Sequence, residues 1–192
     1  MSNKMCLMKL YPLLYLVNQN GNQYYQLSKK NKVNSTLYTT GFTKWDARPF
    51  FSFLKQKKIL SLIDIRRFPN SQLSGFTKKS NFWYFLDELS DCQYYHFESL
   101  APSADDFREY KKQDIDWETF ANRYIKDISS EYAEYEKKEI LELLNKGNVM
   151  LLCSEVDYEF CHRNLLANHL IESHKDLEVI HTNHMRVRLN KN

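Results

Sequence analysis

The chain has 192 residues, of which 43% are apolar and 27% charged, with a formal net charge of +3. That balance suits one folded domain with a full core and excludes a disordered chain. The mild positive charge permits a phosphate-bearing ligand without demanding nucleic acid, whose binders carry a denser basic footprint. No apolar run approaches the ~20 residues of a membrane helix. Leu10 to Val17 is a poor signal-peptide core, because Pro12 interrupts it and no small-residue cleavage site follows. The cysteines (Cys6, Cys92, Cys153, Cys161) form no dense framework, so a reducing, cytoplasmic setting is expected.

In chain order, residues 1–35 read as an N-terminal extension. Leu13 to Val17 and Tyr24 to Leu27 flank Asn20-Gly21, a β-hairpin signal because both turn residues tolerate positive φ. Polar and basic residues from Ser28 to Ser35 then form a linker. From Thr36 a strand–helix rhythm begins. Leu37 to Thr40 is a short strand ending at Gly41. Asp46 can cap the following helix, Pro49 is tolerated in its first turn, and Phe50, Phe51, Phe53 and Leu54 face the sheet.

Ile59 to Ile65 is a second buried strand, and it breaks at Arg66-Arg67-Phe68-Pro69-Asn70-Ser71. An aromatic helix around Phe82 to Leu89 leads to a third strand, Gln93 to Phe97. Residues 103–116 are charged and read as irregular. A long helix is expected over 117–146, with Trp117, Phe120, Tyr124, Ile128 and Tyr132 on one stripe and Gly147 as its C-cap. Val149 to Leu152 is the most apolar strand, and Leu177 to His181 the fifth. The basic tail from His184 to Asn192 is expected to fray.

Strands alternating with helices imply an α/β fold: a Rossmann-like three-layer domain over residues 36–192, with a mostly parallel five-stranded sheet. The expected strand order is 3-2-1-4-5, with the switch point between strands 1 and 4, and 2-1-3-4-5 is the alternative. Either order gathers the ends of strands 1, 2 and 4, where open α/β sheets bind ligands. Gly41, the stretch from Asp64 to Ser71 and the stretch from Cys153 to Arg163 would then line one crevice.

Within it, Arg66 and Arg67 offer planar forks for phosphate or carboxylate, and Ser71 a further donor. Either arginine could instead pair with Asp64 or Glu155. Glu155, beside apolar side chains at a strand end, can act as acid or base, and Cys153 and Asp64 complete the candidate catalytic groups. Cys161-His162-Arg163 opens a helix, where amides favour an anion and a thiol's pKa falls. Packing is the competing role for both cysteines. Cys153, Cys161 and His162 lack the paired spacing usual for zinc, so no metal is expected. Neither a Walker loop nor G-x-G-x-x-G occurs, and no cofactor is expected.

Leu37-Tyr38-Thr39-Thr40-Gly41, Ile63 to Ser71, Gly75-Phe76, and Leu152-Cys153-Ser154-Glu155 with Cys161-His162-Arg163 occur in an order and spacing that are specific together. On them, residues 36–182 resemble the uncharacterised family called domain of unknown function 488. Many members carry a polar ring residue, often His, just after the first-strand glycine, where this chain has Phe42. The resemblance implies an α/β domain with a site at these motifs and a link to nucleotide or nucleic-acid metabolism.

The expectation is an enzyme acting on a nucleotide, nucleoside or nucleic-acid base, at a glycosidic or phosphate-linked centre. The alternative is a non-catalytic nucleotide-sensing or nucleic-acid-binding module. A small anionic ligand or nucleotide is the expected partner, nucleic acid a further one, and a membrane is not.

Overall fold

A computed structural model describes residues 15–17, 23–25 and 35–182 of the chain. The backbone divides into two compact units, Met1–Val33 and Asn34–Asn192. The first contains an antiparallel hairpin of β1 (Tyr15–Val17) and β2 (Gln23–Tyr25), with Tyr15 opposite Tyr25. The turn expected at Asn20-Gly21, the linker expected over residues 28–34 and the tail from His184 to Asn192 lie outside the described residues.

The second unit holds five parallel strands: β3 (Thr36–Gly41), β4 (Ile59–Asp64), β5 (Gln93–His96), β6 (Asn148–Cys153) and β7 (Glu178–Thr182). The order across the sheet is β5-β4-β6-β3-β7. Counted within this sheet it is 3-2-4-1-5, which corrects the expected 3-2-1-4-5 and its alternative. The fourth strand sits between the first two because it is the most apolar. Val149, Met150, Leu151 and Leu152 are fully buried, as a central parallel strand covered on both faces requires.

Side chains alternate between two cores along each strand. Tyr38, Leu62, Met150 and Leu152 pack with Phe50, Leu54, Phe82 and Leu86 of helices α1 (Ala47–Gln56) and α2 (Lys79–Ser90). Leu37, Ile63, Val149 and Leu151 face the other way, onto Tyr124, Ile140, Leu166 and Leu170. Those four come from α4 (Trp117–Asp127), α5 (Glu131–Leu144) and α6 (His162–Ser173). The chain runs one way across the sheet as far as β5 and then back, and crossovers of one hand must change face when direction reverses. The chain leaves β6 for α6 on one face, while neighbouring β3 and β4 lead to α1 and α2 on the other. The switch point between strands 1 and 4 therefore survives the corrected order, with a second one between β6 and β4.

Three local expectations change. Residues 104–112, read as irregular, form helix α3 (Ala104–Lys112), capped by Ser103 Oγ accepting from the Asp106 amide. The long helix is two, broken at Ile128–Ser130, where Ser130 caps α5 and Tyr132 turns out to solvent. Gly147 is no C-cap: Asn145 ends α5 in ordinary helical backbone. A Cβ on Gly147 would instead lie 2.4 Å from the exposed Leu60 side chain, which would have to swing aside to admit it.

Candidate functional site

Beyond the carboxyl ends of β3, β4 and β6 lies a crevice of about 740 Å³. Its floor carries Arg66, Cys153 and His162, its rim Arg67, Ser71, Ser154 and Glu155. Five aromatic residues complete the walls: Phe42, Trp45, Phe68, Phe76 and Phe107. Lys44 and Lys111 add cations. Of the expected site residues, Gly41, Asp64, Cys161 and Arg163 do not line this space, and each supports a residue that does.

Asp64 and Arg66 alternate about Ile65 and so point to the same side of the strand end. Arg66 Nε donates to Asp64 Oδ1 at 2.8 Å and Nη2 to Oδ2 at 2.6 Å. Thr77 takes further guanidinium N–H groups through its hydroxyl and its carbonyl, and the Tyr94 hydroxyl donates to Asp64 Oδ2 at 2.7 Å. The guanidinium also lies over the Phe42 ring, 4.9 Å from its centre. This is a buried, bidentate ion pair that ties β4 to the segment before α2. Burial and the negative Asp64 beside it push the Tyr94 phenol far up, so that it stays a donor. Arg66 reaches the crevice with little hydrogen-bonding capacity left over, and Arg67 is held by Glu98 and the Pro102 carbonyl.

Gly41 and Arg163 shape the loop after β6. Arg163, fully buried, donates from Nη1 to the Glu155 carbonyl at 2.6 Å and from Nη2 to that of Val156 at 3.0 Å. A Cβ on Gly41 would stand 1.6 Å from that Glu155 oxygen, so glycine is needed for β3 to let the loop past. The Glu155 carboxylate turns outward and pairs with Lys111 of α3 at 2.7 Å. Neither Arg66 nor Arg163 pairs with it.

Cys153, Cys161 and His162 meet beneath the floor. Cys153 ends β6, and Cys161 and His162 stand at the N-terminus of α6. The Cys161 thiol donates to Cys153 Sγ at 3.0 Å, and His162 Nδ1 lies 3.7 Å from Cys153 Sγ and 4.0 Å from Cys161 Sγ. His162 Nε2 stands 3.0 Å from the Ile65 carbonyl, which accepts only, so Nε2 carries the proton and Nδ1 faces the sulfurs. Burial pushes the Cys153 thiol up, but the Cys161 hydrogen bond, His162 and Arg163 outweigh it and hold it well below the ordinary thiol range. Burial and the neighbouring Cys153 push Cys161 well up. Burial lowers the His162 imidazole, but the Cys153 sulfur more than compensates. Both shifts run the same way: of the two, Cys153, which faces the crevice, is the one that gives up its proton first.

These three side chains are the kind that hold zinc, and their donor atoms lie within 4.8 Å of one another. Two sulfurs on a tetrahedral zinc must stand about 3.8 Å apart at the usual bond length, so the cluster would have to open by more than half an ångström.

The aromatic walls, Lys44 and Lys111 escaped the sequence reading. Lys44 is exposed with φ 71°, left-handed backbone unusual for a lysine. Phe107 and Lys111 share a face of α3, and the signals for that helix were the Ser103-x-x-Asp106 capping pattern and the helical spacing of Ala104, Phe107 and Tyr110. His181, at the end of the fifth strand, is half-buried, stacked on Tyr158 at 4.1 Å and bonded to Thr39 Oγ1.

The family model described as domain of unknown function DUF488 matches residues 46–170, well over half of the chain. The chain belongs to this family. The match is narrower than the resemblance at 36–182 and leaves out the β3 motif that ends in Gly41. No curated protein and no solved structure matches the chain. No helix among the described residues is long and apolar enough to cross a membrane.

Proposed function

We propose that this member of the DUF488 family is an enzyme that takes a nucleotide, nucleoside or nucleic-acid base into the crevice and acts on it at a glycosidic or phosphate-linked centre. One observation carries the reading: the crevice joins five aromatic side chains to cations at its rim, above a floor where the Cys153 sulfur lies 3.7 Å from an imidazole nitrogen. Phe68, which is exposed, and the half-buried Phe107 are the rings best placed to stack on a base. Lys44 supplies positive charge for phosphate, and Lys111 and Arg67 add to it where a phosphate takes the place of their partners Glu155 and Glu98. The Cys153 thiolate is the nucleophile, because the thiolate rather than the thiol attacks. His162 keeps that sulfur ionised, and Glu155 at the rim is the candidate acid or base for the leaving group. A reducing cytoplasm fits a site whose nucleophile is a reduced cysteine, which cellular thiols restore whenever it is oxidised.

The test is product formation from a panel of nucleosides, nucleoside phosphates and short oligonucleotides, followed by chromatography. The intact chain should convert one class, and Cys153→Ser should abolish conversion while keeping that ligand's thermal stabilisation. Binding with no conversion by the intact chain would favour the second reading, a non-catalytic nucleotide-sensing or nucleic-acid-binding module. The locked state of Arg66 favours that reading too, since stacking on aromatics beside cations is how single strands are held.

A further inference from the structure

Arg163 presents an electrostatic problem. It is fully buried, its Nε has no hydrogen-bond partner, and among the described residues no carboxylate pairs with it. Two of its contacts are neutral carbonyls, and the third is Cys161 Sγ, 3.4 Å from Nη1. A guanidinium cannot shed its proton in a protein, so a buried one needs a counter-charge nearby. Among its partners only sulfur can supply it. A thiolate shared by Cys153 and Cys161 supplies negative charge beside both Arg163 and His162.

A dithiol holding one thiolate, with its sulfurs 3.0 Å apart, has the components of a two-step oxidation. Cys153 is the sulfur at the crevice floor, whereas Cys161 lies behind it and does not line the space. We infer that Cys153 and Cys161 are a redox-active pair, in which a peroxide reaching the crevice oxidises Cys153 and Cys161 closes the disulfide.

In the first step the Cys153 thiolate attacks one oxygen of hydrogen peroxide. An S–O bond forms, the O–O bond breaks, and hydroxide leaves and takes a proton from solvent. The product is a sulfenic acid at Cys153. In the second step the Cys161 sulfur attacks the Cys153 sulfur. The S–O bond breaks, the sulfenic oxygen leaves as water with the Cys161 proton, and the disulfide remains. Peroxide is reduced by two electrons and the cysteine pair is oxidised by two. Closing the bond requires the sulfurs to approach to ~2.05 Å, a movement confined to a strand end and the first residue before a helix. A small-molecule thiol reverses it by exchange at Cys153. The inference is independent of which ligand the crevice takes.

The test uses the full reduced chain and hydrogen peroxide in modest excess, with intact mass and non-reducing peptide mapping. The expected result is loss of two hydrogens, a cross-link between the peptides holding Cys153 and Cys161, and full reversal by dithiothreitol. Cys161→Ser should then accumulate a sulfenic acid at Cys153, trapped by dimedone. If that variant fails to fold, the wild-type map alone decides. Stable sulfinic acid at Cys153 without a cross-link would overturn the inference. So would oxidation confined to Cys6 or Cys92. Stoichiometric metal in the purified chain, released only when Cys153 or Cys161 is blocked, would also overturn it.

Discussion

Replacing Arg66 with alanine would leave the fully buried Asp64 carboxylate with Tyr94 as its remaining side-chain partner. Breaking a buried pair from one side costs about 3–5 kcal/mol, and Arg66→Ala should lose that much in urea unfolding. A loss under about 1 kcal/mol, the level of ordinary surface changes, would show that Arg66 is free for ligand instead. Glu155→Gln should stay within about 1 kcal/mol of wild type by the same measurement, because its pair with Lys111 is a surface ion pair. The sequence placed Asp64 and Arg66 on one side of a strand end, yet a ligand arginine and a paired one leave the same local trace. The cysteines divide in the same way. Cys153 should be alkylated by iodoacetamide with a midpoint below the ordinary thiol value of about 8.5. Cys92, whose burial pushes it up to about 12, should stay inert over that range. A Cys153 midpoint at or above the ordinary value would contradict the shared thiolate.

Helix α3 buries none of its residues and only Ala104, Phe107 and Tyr110 mark its apolar side among charged neighbours, yet it brings Phe107 and Lys111 to the crevice. It is held by the stacking of Tyr110 on Phe120 and by polar groups, the Ser103 cap and Arg123. Burial nudges the Asp106 carboxyl up, but the Ser103 hydroxyl and Arg123 outweigh this and keep it below the usual carboxylate range. Its folded value is therefore depressed. The stability it contributes is complete above pH about 4 and is lost as pH falls through the lowered value. Asp106→Asn should remove that part of the acid sensitivity of the melting temperature and leave neutral pH less stable than wild type. An unchanged profile would mean Arg123 holds α3 through Glu109 alone. The break between α4 and α5 was hidden for a related reason: Ile128 continues the apolar stripe, and only the Ser130 cap announces a new helix. The helices around β3, β4 and β6 were legible because buried side chains repeat through them. Gly41→Ala, at the end of β3, should cost about 3 kcal/mol, the upper end for overpacking, since its Cβ would collide with the Glu155 carbonyl.

Across the whole domain, the parallel sheet, its elements and the location of the crevice could be read from strand–helix alternation, whereas the strand order could not. Each crossover between β3 and β4, β5 and β6, or β6 and β7 passes over a neighbouring strand, and nothing local records which strand is skipped. The crevice was located nevertheless, because the expected and observed orders both put β3 beside β6. Its aromatic walls come from segments far apart in sequence, which is why their convergence had no local signature. Those walls and the cations at the rim support the central claim, that a base and a phosphate bind together there. The direct measurement is thermal stabilisation by a panel of nucleoside phosphates, each compared with its free nucleoside and with inorganic phosphate, on wild type, Phe107→Ala and Lys111→Ala. The account predicts one nucleoside phosphate that raises the melting temperature more than both fragments, with most of the rise lost in each variant. A panel without any such ligand, or a rise that survives in both variants, would contradict it.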